Sequence, residues 1–317
     1  MWCDAQFSKH DSRIKLDKGR RDRIESAVRG FADFCQRDSD LRSALAEAPF
    51  LQGSVPTNTA IRPLGNDEYD VDVIYPFKLS AFQNWSPKAV FDWFVARVKQ
   101  EPYRGKMEVK NRCVRINYAG DFHMDIIPST RDVAVHQPYA VPARDLRDWI
   151  TNDPRGYVKW VKALDQRSGL ADSEGDGVFV RCVRIMKRWR DHFFGTDPRP
   201  SSILLTTILG KHEASVQIYN PPLADPVYQA NRRTAAYLYD MVRLTHGCIQ
   251  QPNPTPFMHP TIPGEDLRRD WDSAFHQRFI DRLAATIKGL KAGIDAWSEL
   301  DAARHFQRAL GESFPLE

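Results

Sequence analysis

Apolar residues recur at helical spacing from about Lys18 to Ala48, where Ile24, Val28, Phe31, Phe34 and Cys35 mark one face. The pattern then shortens. Runs at 69–77, 107–118 and 121–127 read as strands, with a further short strand expected at 132–137. Between the first two, Ser86 and Pro87 open a helix whose apolar face is Val90, Phe91, Phe94, Val95 and Val98. The serine can cap the first turn, and proline suits the first position because its missing N–H has no partner there. "YAGDFH" carries a Gly-Asp turn signal that folds the second and third strands into a hairpin. After Pro142 the helical period returns. Helices are expected at 144–151, 154–169, 178–194, 201–212, 225–247, 265–287 and 290–311, parted by breaks such as "DSEGDG" and "GTDPRP". The fold class is therefore α+β: a mixed sheet-and-helix core with a long leading helix over residues 1–143, then a helical domain over 144–317. A ligand cleft is expected between them.

Charge changes this picture little. Forty-five basic residues stand against 41 acidic ones, a net charge of +4 over 317 residues. That is too mild to indicate a duplex-binding protein, yet it suits an anionic substrate met in a local pocket. No run of apolar residues is long enough for a membrane span, and the N-terminus lacks the apolar stretch of a secretory leader, so a cytoplasmic protein is expected. The five cysteines are scattered and form no CxxC pair, so neither a zinc site nor a disulfide framework is expected.

The chemistry begins at "EYDVDVIYPF". On a strand Asp70 and Asp72 point to one side and Val71 and Val73 to the other. Two like charges so close repel, and something positive should sit between them. "FHMDIIPS" supplies Asp125 on a later strand. If the two strands are neighbours, three hard oxygen donors converge, a set suited to Mg²⁺ or Mn²⁺, and two such ions can activate a hydroxyl and stabilise leaving pyrophosphate. The turn Gln52-Gly53-Ser54 can bring backbone N–H groups and a hydroxyl to phosphate oxygens. Glu68 shares the parity of the aspartates and reads as a solvated residue at the strand's start rather than a fourth ligand; His123 reads as a packed residue rather than a ligand.

In "RCVRIMKRWRD" most arginines read as a solvated basic face, with Lys187 reaching a triphosphate. Ser201 and Ser202 open the helix of "PSSILLTTIL", where capping and phosphate contact use the same position. Trp271, Phe275 and Phe279 read as core, and Tyr75, Tyr157 and Tyr219 as candidates for stacking on a base.

G-S, then D-x-D, then a third Asp on a later strand resembles the polymerase-β-like nucleotidyltransferases. "LQGSVPTNTAIRPLGNDEYDVDVIYPF", "FHMDIIPS", "DPRGYVKW", "RIMKRWRDH", "PSSILLTTIL" and "HPTIPGEDLRRDW" more specifically resemble the bacterial cGAS/DncV-like nucleotidyltransferases (CD-NTases). The resemblance implies a cyclic oligonucleotide synthase that joins NTPs, ATP and/or GTP among them, into a cyclic di- or trinucleotide messenger of antiphage (CBASS-type) signalling. It implies Asp70, Asp72 and Asp125 as catalytic and metal-binding residues for two ions, Gln52, Gly53 and Ser54 at the triphosphate, and Lys187 with Ser201 or Ser202 on its phosphates. It also implies a monomer with regulatory protein partners encoded beside it, and no activation by DNA, because the zinc insertion of the animal relative has no counterpart. The alternatives are nucleotidyl transfer to a tRNA end or a protein, and a catalytically silent nucleotide sensor.

Overall fold

The computed structural model describes residues 4–65, 68–132, 138–143, 145, 148–169, 175–195, 199–212, 226–250, 257–268 and 271–317, with backbone alone at 4 and 226–233. The expected strand at 132–137 lies almost wholly outside them, and so does Tyr219.

The chain divides into two compact units that are not contiguous halves. A sheet unit comprises Leu16–Pro56 and Pro63–Val158. A helical unit comprises Met1–Lys15, Thr57–Arg62 and Lys159–Glu317, so the N-terminal residues and a short internal segment join the C-terminal helices. The change of pattern at Pro142 does not reveal this.

In the sheet unit, α2 (Lys18–Arg37) is capped by Asp17, whose carboxylate accepts from the Arg20 N–H. The long helix expected to Ala48 breaks at Asp38. That side chain accepts from the N–H groups of Asp40 and Leu41 and so starts a new helix, α3 (Ser39–Ala44). Strand β1 (Phe50–Gln52) then pairs antiparallel with β2 (Tyr69–Lys78). Helix α4 (Pro87–Val98) starts as expected, Ser86 Oγ accepting from the Ala89 N–H with Pro87 in the first turn. The run at 107–118 is two strands, β3 (Met107–Val109) and β4 (Val114–Tyr118), because a turn from Lys110 to Cys113 folds it back on itself.

Strand β5 (Phe122–Arg131) forms the expected hairpin with β4, turning through Gly120 at φ 77°. It also runs parallel to β2, giving the order β1-β2-β5-β4-β3. Strand β6 (Tyr139–Pro142) continues from β5 to β7 (Trp149–Asn152). The helix expected at 144–151 is not formed over 149–152. Trp149, Ile150 and Thr151 are β-formers, and each finds a register partner on β6.

One face of this sheet is core: Val71, Val73, Val114, Ile116, Met124 and Ile126 are all fully buried. At about 1.5–3 kcal/mol for each such side chain, this face is what fixes the strand register. A one-residue slip would expose all of them. Tyr75 belongs to the same core, against Phe31, Phe77 and Phe94, and is therefore not available to stack on a base. Tyr157 is buried as well. Helix α5 (Pro154–Ser168) begins in the sheet unit and continues in the helical one.

The helical unit contains α1 (Asp4–Ile14), α6 (Val178–Phe194), α7 (Ser202–Lys211), α8 (Pro226–Ile249), α9 (Ser273–Ile294) and α10 (Glu299–Leu310). Helix α9 starts later than the pattern from 265 suggests. Asp266 instead turns the chain, accepting from the N–H groups of Phe257 and Arg268, and Asp272 provides the cap by accepting from Phe275. Phe275 and Phe279 are core, as expected.

The arginines of α6 are a correction. Arg181, Arg184, Lys187, Arg188 and Arg190 are all buried rather than solvated. Buried charge persists only where it is matched. Here Arg184 forks onto Asp11 (Nε to Oδ1 2.7 Å, Nη2 to Oδ2 2.6 Å) and donates from Nη1 to Asp176 (2.9 Å) and the Asn58 carbonyl (2.7 Å). Arg188 donates to the Arg62 carbonyl (2.5 Å), and Arg190 to Asp191 (2.8 Å) and Ser202 Oγ (2.9 Å). Along α6, therefore, basic side chains at successive turns grip the segment 57–62.

His10 on α1 is fully buried, with Nδ1–H donating to the Ser313 carbonyl at 3.1 Å. Burial, partly offset by that bond, lowers its pKa from 6.5 to about 4. The unfolded chain takes up this proton near pH 6.5, while the folded one resists until about pH 4, so stability is lost as pH falls through that window. We expect His10 to cost about 2 kcal/mol of stability at pH 5 relative to pH 7.5. Urea unfolding at the two pH values should show a smaller difference in His10→Gln than in the wild type.

Candidate active site

The face of the sheet opposite this core is polar. Strand register sets Gln52 of β1 opposite Asp72 of β2, Asp72 beside Asp125 of β5, and Asp125 opposite Arg115 of β4. These four side chains form one row across four strands. The next row along the same face is Asp70, His123 and Asn117. The alternation that buries Val71 and Met124 turns the aspartates out, and the parallel pairing of β2 with β5 brings the carboxylates side by side.

A positive group, Arg115, sits between Asp70 and Asp125 rather than between Asp70 and Asp72, where divalent cations were expected. Its Nε donates to Asp125 Oδ1 and its Nη2 to Asp125 Oδ2, both at 2.8 Å, while Nη2 also reaches Asp70 Oδ1 at 2.8 Å. Such a forked, charge-assisted contact is among the stronger polar interactions available to a protein. The Asp125 hydrogen bonds, against the opposing effect of burial, raise the Arg115 pKa above the ordinary guanidinium value, so this side chain stays charged. Beside it, burial and then the Asp125 charge push the Cys113 thiol up to about 12, which keeps it a neutral thiol.

Arg115 was legible and missed. Once "YAGDFH" is a hairpin closing Tyr118 on Phe122, counting back along both strands sets residue 115 against 125. Glu68 is a second correction. Rather than standing in solvent, it pairs with His123 (Nε2 to Oε2 2.9 Å) and accepts from the Gly120 N–H (2.7 Å), holding the hairpin turn to the start of β2. His123 is a packed partner of a carboxylate, in line with its expected part.

Gly53 follows β1 at φ +71°, and a Cβ there would lie 2.7 Å from Asp72 Oδ2. The turn can thus approach the carboxylate only because residue 53 has no side chain. Gln52 is fixed from its other side, its Oε1 accepting from Asn152 Nδ2 of β7 at 3.1 Å. We expect Gly53→Ala to lower turnover by about tenfold or more, since it combines a left-handed backbone with a clash on Asp72. Initial-rate measurements beside a thermal melt will separate this from unfolding.

Gln52, Gly53, Asp70, Asp72 and Asp125 are thus neighbours within the sheet unit, with Ser54 following in the same turn. Lys187, Ser201 and Ser202 lie in the helical unit. The Lys187 ammonium is buried and donates to the Thr59 carbonyl (2.9 Å) and hydroxyl (3.1 Å). Ser201 Oγ caps α7 by accepting from the Leu204 N–H, and Ser202 accepts from Arg190.

The donor set fits hard divalent cations: three carboxylates on one sheet face, with no sulfur ligand among them. As the side chains stand, however, no three His, Cys, Asp or Glu groups among the described residues are gathered for an ion. Two of the triad are turned onto Arg115 instead.

Comparison with known proteins decides the family. The Second Messenger Oligonucleotide or Dinucleotide Synthetase domain matches residues 1–164, more than half of the chain. The chain belongs to that family. A c-di-GMP synthase of Roseivirga ehrenbergii is 31% identical over 213 residues, covering 61% of this chain and 56% of the relative. The match therefore spans little more than half of that relative's length. A cyclic AMP-AMP-AMP synthase of Acinetobacter sp. is 22% identical over 272 residues, covering 84% of this chain and 72% of the relative. Among solved structures, the CD-NTase CdnG of Bradyrhizobium diazoefficiens, in complex with GTP, superposes with a TM-score of 0.73. It is 20% identical and the match covers 98% of this chain and 95% of that one. The likeness establishes that this chain shares the CD-NTase fold. Among its described residues no helix is long and apolar enough to cross a membrane.

Proposed function

We propose that this chain joins nucleoside triphosphates into a cyclic di- or trinucleotide with release of pyrophosphate, as a messenger-forming enzyme of CBASS-type defence. The observation that carries the reading is the Gln52–Asp72–Asp125 row with Asp70 on the same face, in a member of the synthetase family. Purine triphosphates are the favoured substrates, because the names of the two curated relatives specify guanine and adenine products.

Asp70, Asp72 and Asp125 would hold the divalent cations. Bound there, these ions would neutralise the donor triphosphate and acidify the acceptor ribose hydroxyl. The chain's own groups do the rest. The Gly53 and Ser54 N–H groups, with the Ser54 hydroxyl, orient the triphosphate against the row. Asp125, the most buried of the three carboxylates, accepts the hydroxyl proton as the oxygen attacks the α-phosphorus and the α–β bridging oxygen departs with pyrophosphate. A second round on the linear product closes the ring. Lys187, Ser201 and Ser202 enter only through the resemblance, since they are engaged with Thr59, the α7 cap and Arg190.

The test is to incubate the protein with labelled ATP, GTP, CTP and UTP, singly and mixed, with Mg²⁺ or Mn²⁺, and to resolve the products after phosphatase. A phosphatase-resistant product that needs a purine triphosphate supports the reading. Nucleotide appearing only on added tRNA or protein would overturn it.

A further inference from the structure

Arg115 occupies the carboxylates that the cations would need. It donates to both Asp125 oxygens and to one oxygen of Asp70, at 2.8 Å in every case. Asp125 and Arg115 are also largely enclosed, their side chains 12% and 21% exposed, so water does little to weaken the contact. A cation bonded to the same oxygens would sit within a few ångströms of a fixed guanidinium charge, a repulsion that enclosure strengthens. This contact accounts for the orientation of two of the three aspartates, Asp70 and Asp125.

We propose that Arg115 is a built-in counter-ion: it bridges Asp70 and Asp125 in the metal-free protein and must release them before divalent cations bind. Resting on the assignment of the triad as the metal site, the inference makes Arg115 a positioning residue that sets the affinity for the metal. It holds the carboxylates on their strands without mutual repulsion and raises the cation concentration needed to load the site. Binding of the cation and bridging by Arg115 then oppose one another, each weakening the other by the same factor.

The experiment is Mn²⁺ titration of the nucleotide-free full chain, with free Mn²⁺ read by electron paramagnetic resonance, for wild type, Arg115→Met, Arg115→Lys and Asp72→Asn. Arg115→Met should bind Mn²⁺ about tenfold tighter or more, the size expected from losing one charged bridge. It should melt below wild type in EDTA, and saturating Mn²⁺ should narrow the gap. Arg115→Lys keeps the charge but cannot fork, so it should bind severalfold tighter; it carries the same test if the methionine variant does not fold. Unchanged or weaker binding in both Arg115 variants, while Asp72→Asn abolishes the site, overturns the counter-ion and leaves the triad assignment standing. Unaltered Mn²⁺ binding in Asp72→Asn overturns the triad assignment and the counter-ion with it.

Discussion

Asp72→Asn should lower pyrophosphate release from any NTP mixture by about a thousandfold or more, a loss typical of central catalytic groups. Asp72 stands in the middle of the row, beside Asp125 and opposite Gln52, and Gly53 has left it room by lacking a side chain. Asparagine keeps the shape and removes the charge, so the sheet has no reason to unfold. A melting temperature close to wild type is the companion result. Asp125→Asn should lose as much turnover while also releasing one arm of Arg115. Activity within tenfold of wild type in either variant would show that the row is not the reaction centre.

Arg184→Met should destabilise the helical unit by about 3–5 kcal/mol, the range for breaking a buried pair. The Arg184 side chain is fully buried between Asp11 and Asp176. Burial lowers its pKa, but the two carboxylates more than reverse this, so it stays charged. Without it buried Asp11 would keep Arg181 at 3.5 Å as its cationic neighbour, buried Asp176 would lose its guanidinium contact, and the Asn58 carbonyl would lose a donor. Adding Asp11→Asn to Arg184→Met should restore part of the loss. Urea unfolding followed by circular dichroism gives both numbers. A loss below about 1 kcal/mol would place this network with surface ion pairs in worth.

What could be read in advance follows from range along the chain. Helix α4 was legible because Ser86, Pro87 and its apolar face lie within one segment. The Asp70-Asp72 alternation was legible for the same reason, and the hairpin at Gly120 fixed the partner of Tyr118. The burial of the α6 arginines was not, because Asp11 lies 173 residues from Arg184 and no local signal links them. Nor was the attachment of residues 57–62 to α6, which depends on backbone carbonyls that any residue supplies. Strand β7 was read as helix because its four residues become β only by pairing with β6. Arg115 differs from these, because the hairpin count alone places it opposite Asp125.

The most direct measurement is anomalous diffraction at the manganese edge from crystals grown with Mn²⁺ and a non-hydrolysable ATP analogue. Manganese should lie on Asp70, Asp72 and Asp125, with the triphosphate against Gly53 and Ser54 and Arg115 turned away from Asp70. A bound triphosphate with manganese away from the three aspartates, and Arg115 still bridging them, would contradict the assignment of this sheet face as the catalytic centre.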